Sequence, residues 1–162
     1  MTPQGYVFAI LALVLPAFTA HAADVTPAAI VADIGQYGAP QVVKQLNAGS
    51  GARWKAVIAG IALGQNAWLD VARAIQPGVD AGTAEDLTSA VASALKVNPA
   101  GVLRLIGTEF PLTKVCDVPL IEPTNAEVAI WKRRTLAALD RVRDPSLTTK
   151  VHDCRAALAA IK

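Results

Sequence analysis

Two apolar stripes constrain this chain more than anything else in it. Trp54, Val57, Ile58, Ile61 and Ala62 recur at i, i+3, i+4, i+7 and i+8, and Leu87, Ala90, Val91, Ala94 and Leu95 repeat that spacing 33 residues later. A helix turns about 100° per residue, so this spacing gathers the apolar side chains on one face, which must be buried against a neighbour. No segment after residue 22 shows the sustained apolar-polar alternation of a half-buried strand. The predicted fold class is all-α.

Each stripe leads into a second helix. Asn66 is placed to cap WLDVARAI, whose Trp68, Val71, Ala72 and Ile75 share a face, and Asn98-Pro99 opens a helix carrying Val102, Leu105 and Ile106. Pro77-Gly78 closes the first pair, and Thr83, followed by Glu85 and Asp86, starts the second with acidic side chains near its positive end. Upstream, Thr26-Pro27 reads as an N-cap followed by a proline at the first helical position, with Ile30, Val31, Ile34 and Tyr37 on one face; APQVVKQLN begins another short helix after Gly38. The pattern predicts about seven to eight helices. They form either stacked α-hairpins or an irregular helical bundle, because the offset from the first unit to the second is nearer 27 residues than 33.

The stretch from 107 to 125 breaks the pattern. Pro111, Pro119 and Pro123 forbid a continuous helix there, and the segment is expected to be irregular. Helical spacing returns over Glu127 to Val142, with Val128, Trp131, Thr135, Leu139 and Val142 on one side. Asp144-Pro145 ends that helix, and Ser146 is placed to cap the last one.

The first 23 residues contain no Asp, Glu, Lys or Arg, and the apolar run Tyr6 to Phe18 is followed by the small-x-small pattern Ala20-His21-Ala22. This reads as a signal peptide, residues 1–22, cleaved after Ala22, leaving a single α-helical domain over 23–162 in the periplasm or outside the cell. The run is shorter than a membrane span and carries Pro16, although MTPQG supplies no basic side chain, so an uncleaved anchor is the alternative. The longest later charge-free run, Ala56 to Leu69, is too short to cross a bilayer, so no transmembrane segment is expected after cleavage.

Only two cysteines are present, Cys116 in the irregular segment and Cys154 in the last helix. Cys154 sits mid-stripe among Leu147, Val151, Leu158 and Ile161, whereas His152 lies roughly 160° away around the helix, too far to take a proton from the thiol. An exported chain with two cysteines has a better use for them. The prediction is one disulfide, Cys116–Cys154, stapling the irregular segment to the helical body; two free thiols in a reducing compartment are the competing reading.

Other chemistry finds little support. With the cysteines paired, His152 and carboxylates alone do not make a zinc site, and no cofactor is expected. DAGTAED lacks the alternating ligands of a calcium loop. NAGSGARW, with Gly49 and Gly51, lacks the Lys-Ser/Thr ending of a phosphate loop, and Ser50, Ser89, Ser93 and Ser146 have no glycine-framed elbow. Residues 23 to 113 hold six basic and seven acidic side chains, and 114 to 162 hold nine and six. That is a tilt far below the basic stripe of a nucleic-acid binder, and in WKRR the arginines Arg133 and Arg134, with Arg141 beyond, fall opposite Trp131 and Leu139 on the solvated side. Glycan cleavage by two carboxylates is harder to exclude, but Glu85, Glu109, Glu122 and Glu127 are followed by Asp, Phe, Pro and Val, without the Glu-Ser pair of lytic transglycosylases.

What is left is the segment 107–125, with apolar residues set between prolines. A stretch of this length inside a compact domain is often functional, and prolines reduce the entropy lost on docking. The leading expectation is an exported protein-binding module of inhibitor or immunity type with a protein partner in the cell envelope, contacting it through Phe110, Leu112, Leu120 and Ile121. The competing reading of these apolar residues is that they merely cover one end of the helical stack; a small envelope enzyme using carboxylates on glycan and a carrier of a small apolar ligand are the alternative functions.

Overall fold

The structure is a computed structural model that describes residues 25–161; the expected signal peptide lies outside them. The described residues form nine α-helices and no strand: α1 (Pro27–Tyr37), α2 (Ala39–Asn47), α3 (Ala52–Ala62), α4 (Asn66–Ile75), α5 (Ala81–Ala94), α6 (Pro99–Leu105), the single turn α7 (Leu112–Val115), α8 (Asn125–Leu139) and α9 (Thr148–Ala160). Two 3-10 turns, Gln76–Gly78 and Pro145–Leu147, follow α4 and precede α9.

Side-chain caps account for most of the boundaries. Thr26 accepts the Ala29 N–H at the start of α1, and Asn98 accepts the Gly101 N–H at the start of α6, each with proline at the first helical position as expected. Helix α5 begins at Ala81, earlier than Thr83. Asp80 is its cap: the Thr83 N–H donates to Asp80 Oδ1 at 3.0 Å, and the Asp80 N–H donates back to Thr83 Oγ1 at 2.9 Å. Two further caps also move. Gln65 precedes α4 and Asn66 is its first residue, while Asp144, not Ser146, accepts a backbone N–H ahead of the last helix.

The two stripes do what their spacing implies. Helix α3 lies along α5 and α4 along α6, so the hairpins α3–α4 and α5–α6 stack. Hydrogen bonds bridge near-equivalent positions of the two units. Trp54 Nε1 donates to Asp86 Oδ2 at 2.9 Å, and Asn98 Nδ2 donates to the Gly64 carbonyl and to Asn66 Oδ1, both at 2.8 Å. The α1–α2 pair does not extend the repeat. Both of its helices touch α4, and α2 also packs on α3 and on the 3-10 turn, where a Cβ on Gly78 would stand 2.3 Å from the Ala39 carbonyl carbon. The arrangement is therefore two stacked hairpins inside an irregular bundle. Among the described residues α1 packs mainly on α2 and α4, and of its expected stripe only Ile30 is fully buried, while Val31 and Tyr37 are exposed.

One apolar core runs through the bundle, from Ile30 and Leu46 through Val57, Ile61, Leu87 and Val91 to Leu103, Leu139 and Leu158. Helix α9 closes it with the stripe read from the sequence: Leu147, Cys154 and Leu158 are buried, and Val151 and Ile161 are packed against the core. Lys150, also on α9, donates to the carbonyls of Leu103 and Ile106 at 3.1 and 2.7 Å. A cation thus meets unpaired acceptors at the negative end of α6.

Candidate functional site

The segment 107–125 is irregular as expected, apart from the turn α7, and it is tied down at both ends. Cys116, which caps α7, is bonded to Cys154 in the middle of α9, and both cysteines are buried. At the far end Thr124 and Glu127 form a reciprocal cap on α8. The Thr124 N–H and hydroxyl donate to Glu127 Oε2 at 2.8 and 2.7 Å, and the Glu127 N–H donates to Thr124 Oγ1. Hydrogen bonds to Thr124, the hydroxyl first and the backbone N–H second, hold the Glu127 carboxyl below its ordinary value.

The four expected contact residues separate into two pairs: Phe110 and Leu112 precede the Cys116 anchor, and Leu120 and Ile121 lie between it and the cap. Phe110 is 2% exposed and belongs to the core, and Leu112 is half-buried against it. Phe110 is thus covered and Leu112 partly so, and α7, which begins at Leu112, packs on α5 and α9. Leu120 and Ile121 behave differently. They are 43% and 96% exposed, on the stretch that follows the Asp117 side chain's bond to the Val118 N–H. Glu122, just beyond, has a positive φ of 48°, a backbone conformation uncommon for a residue with a side chain.

Leu120 and Ile121 overhang a groove of about 790 Å³ between α3 and α5. Helix α3 contributes Trp54, Lys55, Ile58, Ala59 and Ala62, and α5 contributes Glu85, Asp86, Ser89, Ala90 and Ser93. Both sets follow the spacing i, i+1, i+4, i+5, i+8, as expected for two helices lying side by side. The walls differ in chemistry. The α3 wall is mainly apolar, and the α5 wall offers two carboxylates and two hydroxyls.

The sequence reading names most of these residues but does not gather them into one site: Trp54, Ile58, Ala62 and Ala90 belong to the apolar stripes, and Glu85, Asp86, Ser89 and Ser93 flank one of them. The signal that could have found them is the run Glu85, Ser89, Ser93, three polar residues one helical turn apart beside an apolar stripe. Of the two carboxylates, Asp86 already accepts the Trp54 indole N–H. Glu85 has no hydrogen bond or ion pair among the described residues.

The remaining candidates do not join this groove. Glu109 lines a separate pocket of about 320 Å³ with Arg73 and Arg104, and Arg104 is paired with Asp144 at 2.8 Å. His152 is exposed and contacts Asp153, while Cys154 is fully buried in its disulfide, so the histidine and the sulfur diverge as the helical geometry requires. Arg133, Arg134 and Arg141 are exposed, and Lys132 donates to the Ile161 carbonyl at 2.6 Å. Among the described residues no group of three or more His, Cys, Asp or Glu could hold a metal ion, and no helix is long and apolar enough to cross a membrane.

Comparison of the chain with protein-family models, with curated proteins and with solved structures returned no match.

Proposed function

We propose that this is an exported α-helical protein-binding module of inhibitor or immunity type, acting on a protein of the cell envelope through the Leu120–Ile121 loop and the groove beside it. The observation that carries the reading is Ile121. A large apolar side chain that is 96% exposed, on a loop anchored by a disulfide on one side and a capping box on the other, has no use in the interior of the fold. Anchoring lowers the ordering cost of binding, because the segment is already held near one conformation. The signal peptide expected from residues 1–22 fits an exported role.

The carboxylate-enzyme reading draws less support, since Glu85 and Asp86 are neighbours on one helix wall and do not face each other across the groove. A carrier reading has one observation in its favour, the groove's volume of about 790 Å³, within the range of small-molecule sites. Its lining includes Lys55 and Glu85, charged groups that an apolar ligand would cover without pairing.

The test is co-purification from a cell-envelope extract with wild-type protein and with Leu120→Ala and Ile121→Asp. A partner retained by the wild type and lost with Ile121→Asp supports the reading. Identical retention by all three overturns the loop assignment.

A further inference from the structure

The groove's two walls specify more than a generic apolar contact. Resting on the binding reading above, we infer that the groove takes an extended segment of the partner in which apolar side chains alternate with basic ones. From Trp54 to Ala62 the α3 wall spans eight helical rises, about 12 Å along the helix axis at about 1.5 Å each. That length matches about four residues of extended chain at roughly 3.3 Å each. In an extended chain successive side chains point to opposite sides, so alternate residues meet the two walls. One set rests on Ile58, Ala59, Ala62 and the overhanging Leu120 and Ile121. The other set faces Glu85, Asp86, Ser89 and Ser93.

Charge selects the chemistry of that second set. The groove holds two carboxylates against one ammonium, that of Lys55 at the edge of the α3 wall. In the adjoining groove on the other flank of α5, Lys114 and Asp117 offset each other and Glu85 appears again. The Asp86 carboxylate is oriented by the Trp54 indole through one oxygen, which leaves the other as an acceptor, and Glu85 is uncommitted among the described residues. An Arg or Lys side chain meets charge-assisted acceptors here, and an acidic one meets repulsion.

The experiment uses two blocked tetrapeptides, Leu-Arg-Leu-Arg and Leu-Glu-Leu-Glu, titrated into isotope-labelled full-length protein and followed by backbone amide NMR. The Arg peptide is expected to shift amides in 54–62, 85–93 and 118–121, to bind at least about tenfold tighter than the Glu peptide, and to weaken as salt rises from about 20 to about 300 mM. Glu85→Lys, a surface change outside the core, is expected to abolish that preference. Equal binding of both peptides, no binding, shifts elsewhere in the protein, or an unchanged preference in Glu85→Lys would each overturn the inference. Its failure is separable from failure of the binding reading. If Ile121→Asp still loses the envelope partner while the peptides do not discriminate, only the charge pattern is wrong.

Discussion

Trp54 and Asp86 join the two stacked hairpins through a single bond, the indole Nε1 donating to Oδ2 at 2.9 Å across the seam of α3 and α5. Trp54 is buried and Asp86 exposed, so removing the acceptor takes from the indole N–H its charged partner at the edge of the groove. Asp86→Ala is expected to lower the unfolding free energy by about 1–3 kcal/mol, and Asp86→Asn, which keeps an acceptor oxygen, by less. Urea denaturation followed by tryptophan fluorescence measures both. No loss in either variant would mean that the bond contributes nothing to stability.

Phe110 and Ile121 lie in one irregular segment but differ fully in environment. Phe110→Ala removes a core side chain and is expected to cost about 3–5 kcal/mol. Ile121→Asp alters a side chain that touches almost nothing and is expected to change stability by less than about 0.5 kcal/mol. Thermal melts of the two variants separate the part of the segment that builds the fold from the part that is presented.

The Cys116–Cys154 bridge closes a loop with a sequence separation of 38. Chain-entropy reasoning gives it roughly 4 kcal/mol at the upper end, acting through the unfolded state. The double variant Cys116→Ala with Cys154→Ala is expected to remain helical and to lose about 2–4 kcal/mol in urea. Because both cysteines are buried, reductant alone is expected to leave the bridge intact, and reductant with urea to break it. Thiol labelling with mass detection reads this out.

Three helix-capping carboxylates share one pH response. Asp80 is lowered from 3.8 first by the Thr83 backbone N–H and then by its hydroxyl, Glu127 from 4.5 by the Thr124 hydroxyl and N–H, and Asp144 from 3.8 by the Ser146 side chain and then Arg104. A carboxyl whose folded pKa is depressed stabilises the fold fully above its unfolded value and loses that contribution as pH falls through the folded value. Stability is therefore expected to fall below about pH 5, the top of that window. Asp80→Asn with Glu127→Gln keeps acceptors without the titrating charge and is expected to show a smaller drop in urea midpoint between pH 7 and pH 3. An identical drop would remove these caps from the acid response.

Much of the fold was legible because burial on one face of a helix leaves a periodic trace. The 33-residue offset between Trp54 and Leu87 anticipates two hairpins stacked side by side, and the α9 stripe anticipates which way Cys154 points and hence the disulfide. Caps were less legible, since Asp80 and Thr83 bond reciprocally and either reads as a helix start. Phe110 and Ile121 are alike in the sequence, both apolar and both near prolines. Only the path of the chain around Cys116 decides that one turns inward and the other outward. The groove was hidden for a related reason. Its polar wall of Glu85, Ser89 and Ser93 looks like any solvated helix flank until α3 and the loop are placed against it.

The account depends on Ile121 meeting a partner in the cell envelope. Its most direct test is photo-crosslinking in intact cells with Ile121→p-benzoylphenylalanine, set beside the same replacement at His152, which is exposed on α9. A discrete higher-mass adduct is expected at position 121 and none at 152. No adduct at 121, or the same adducts at both positions, would contradict it.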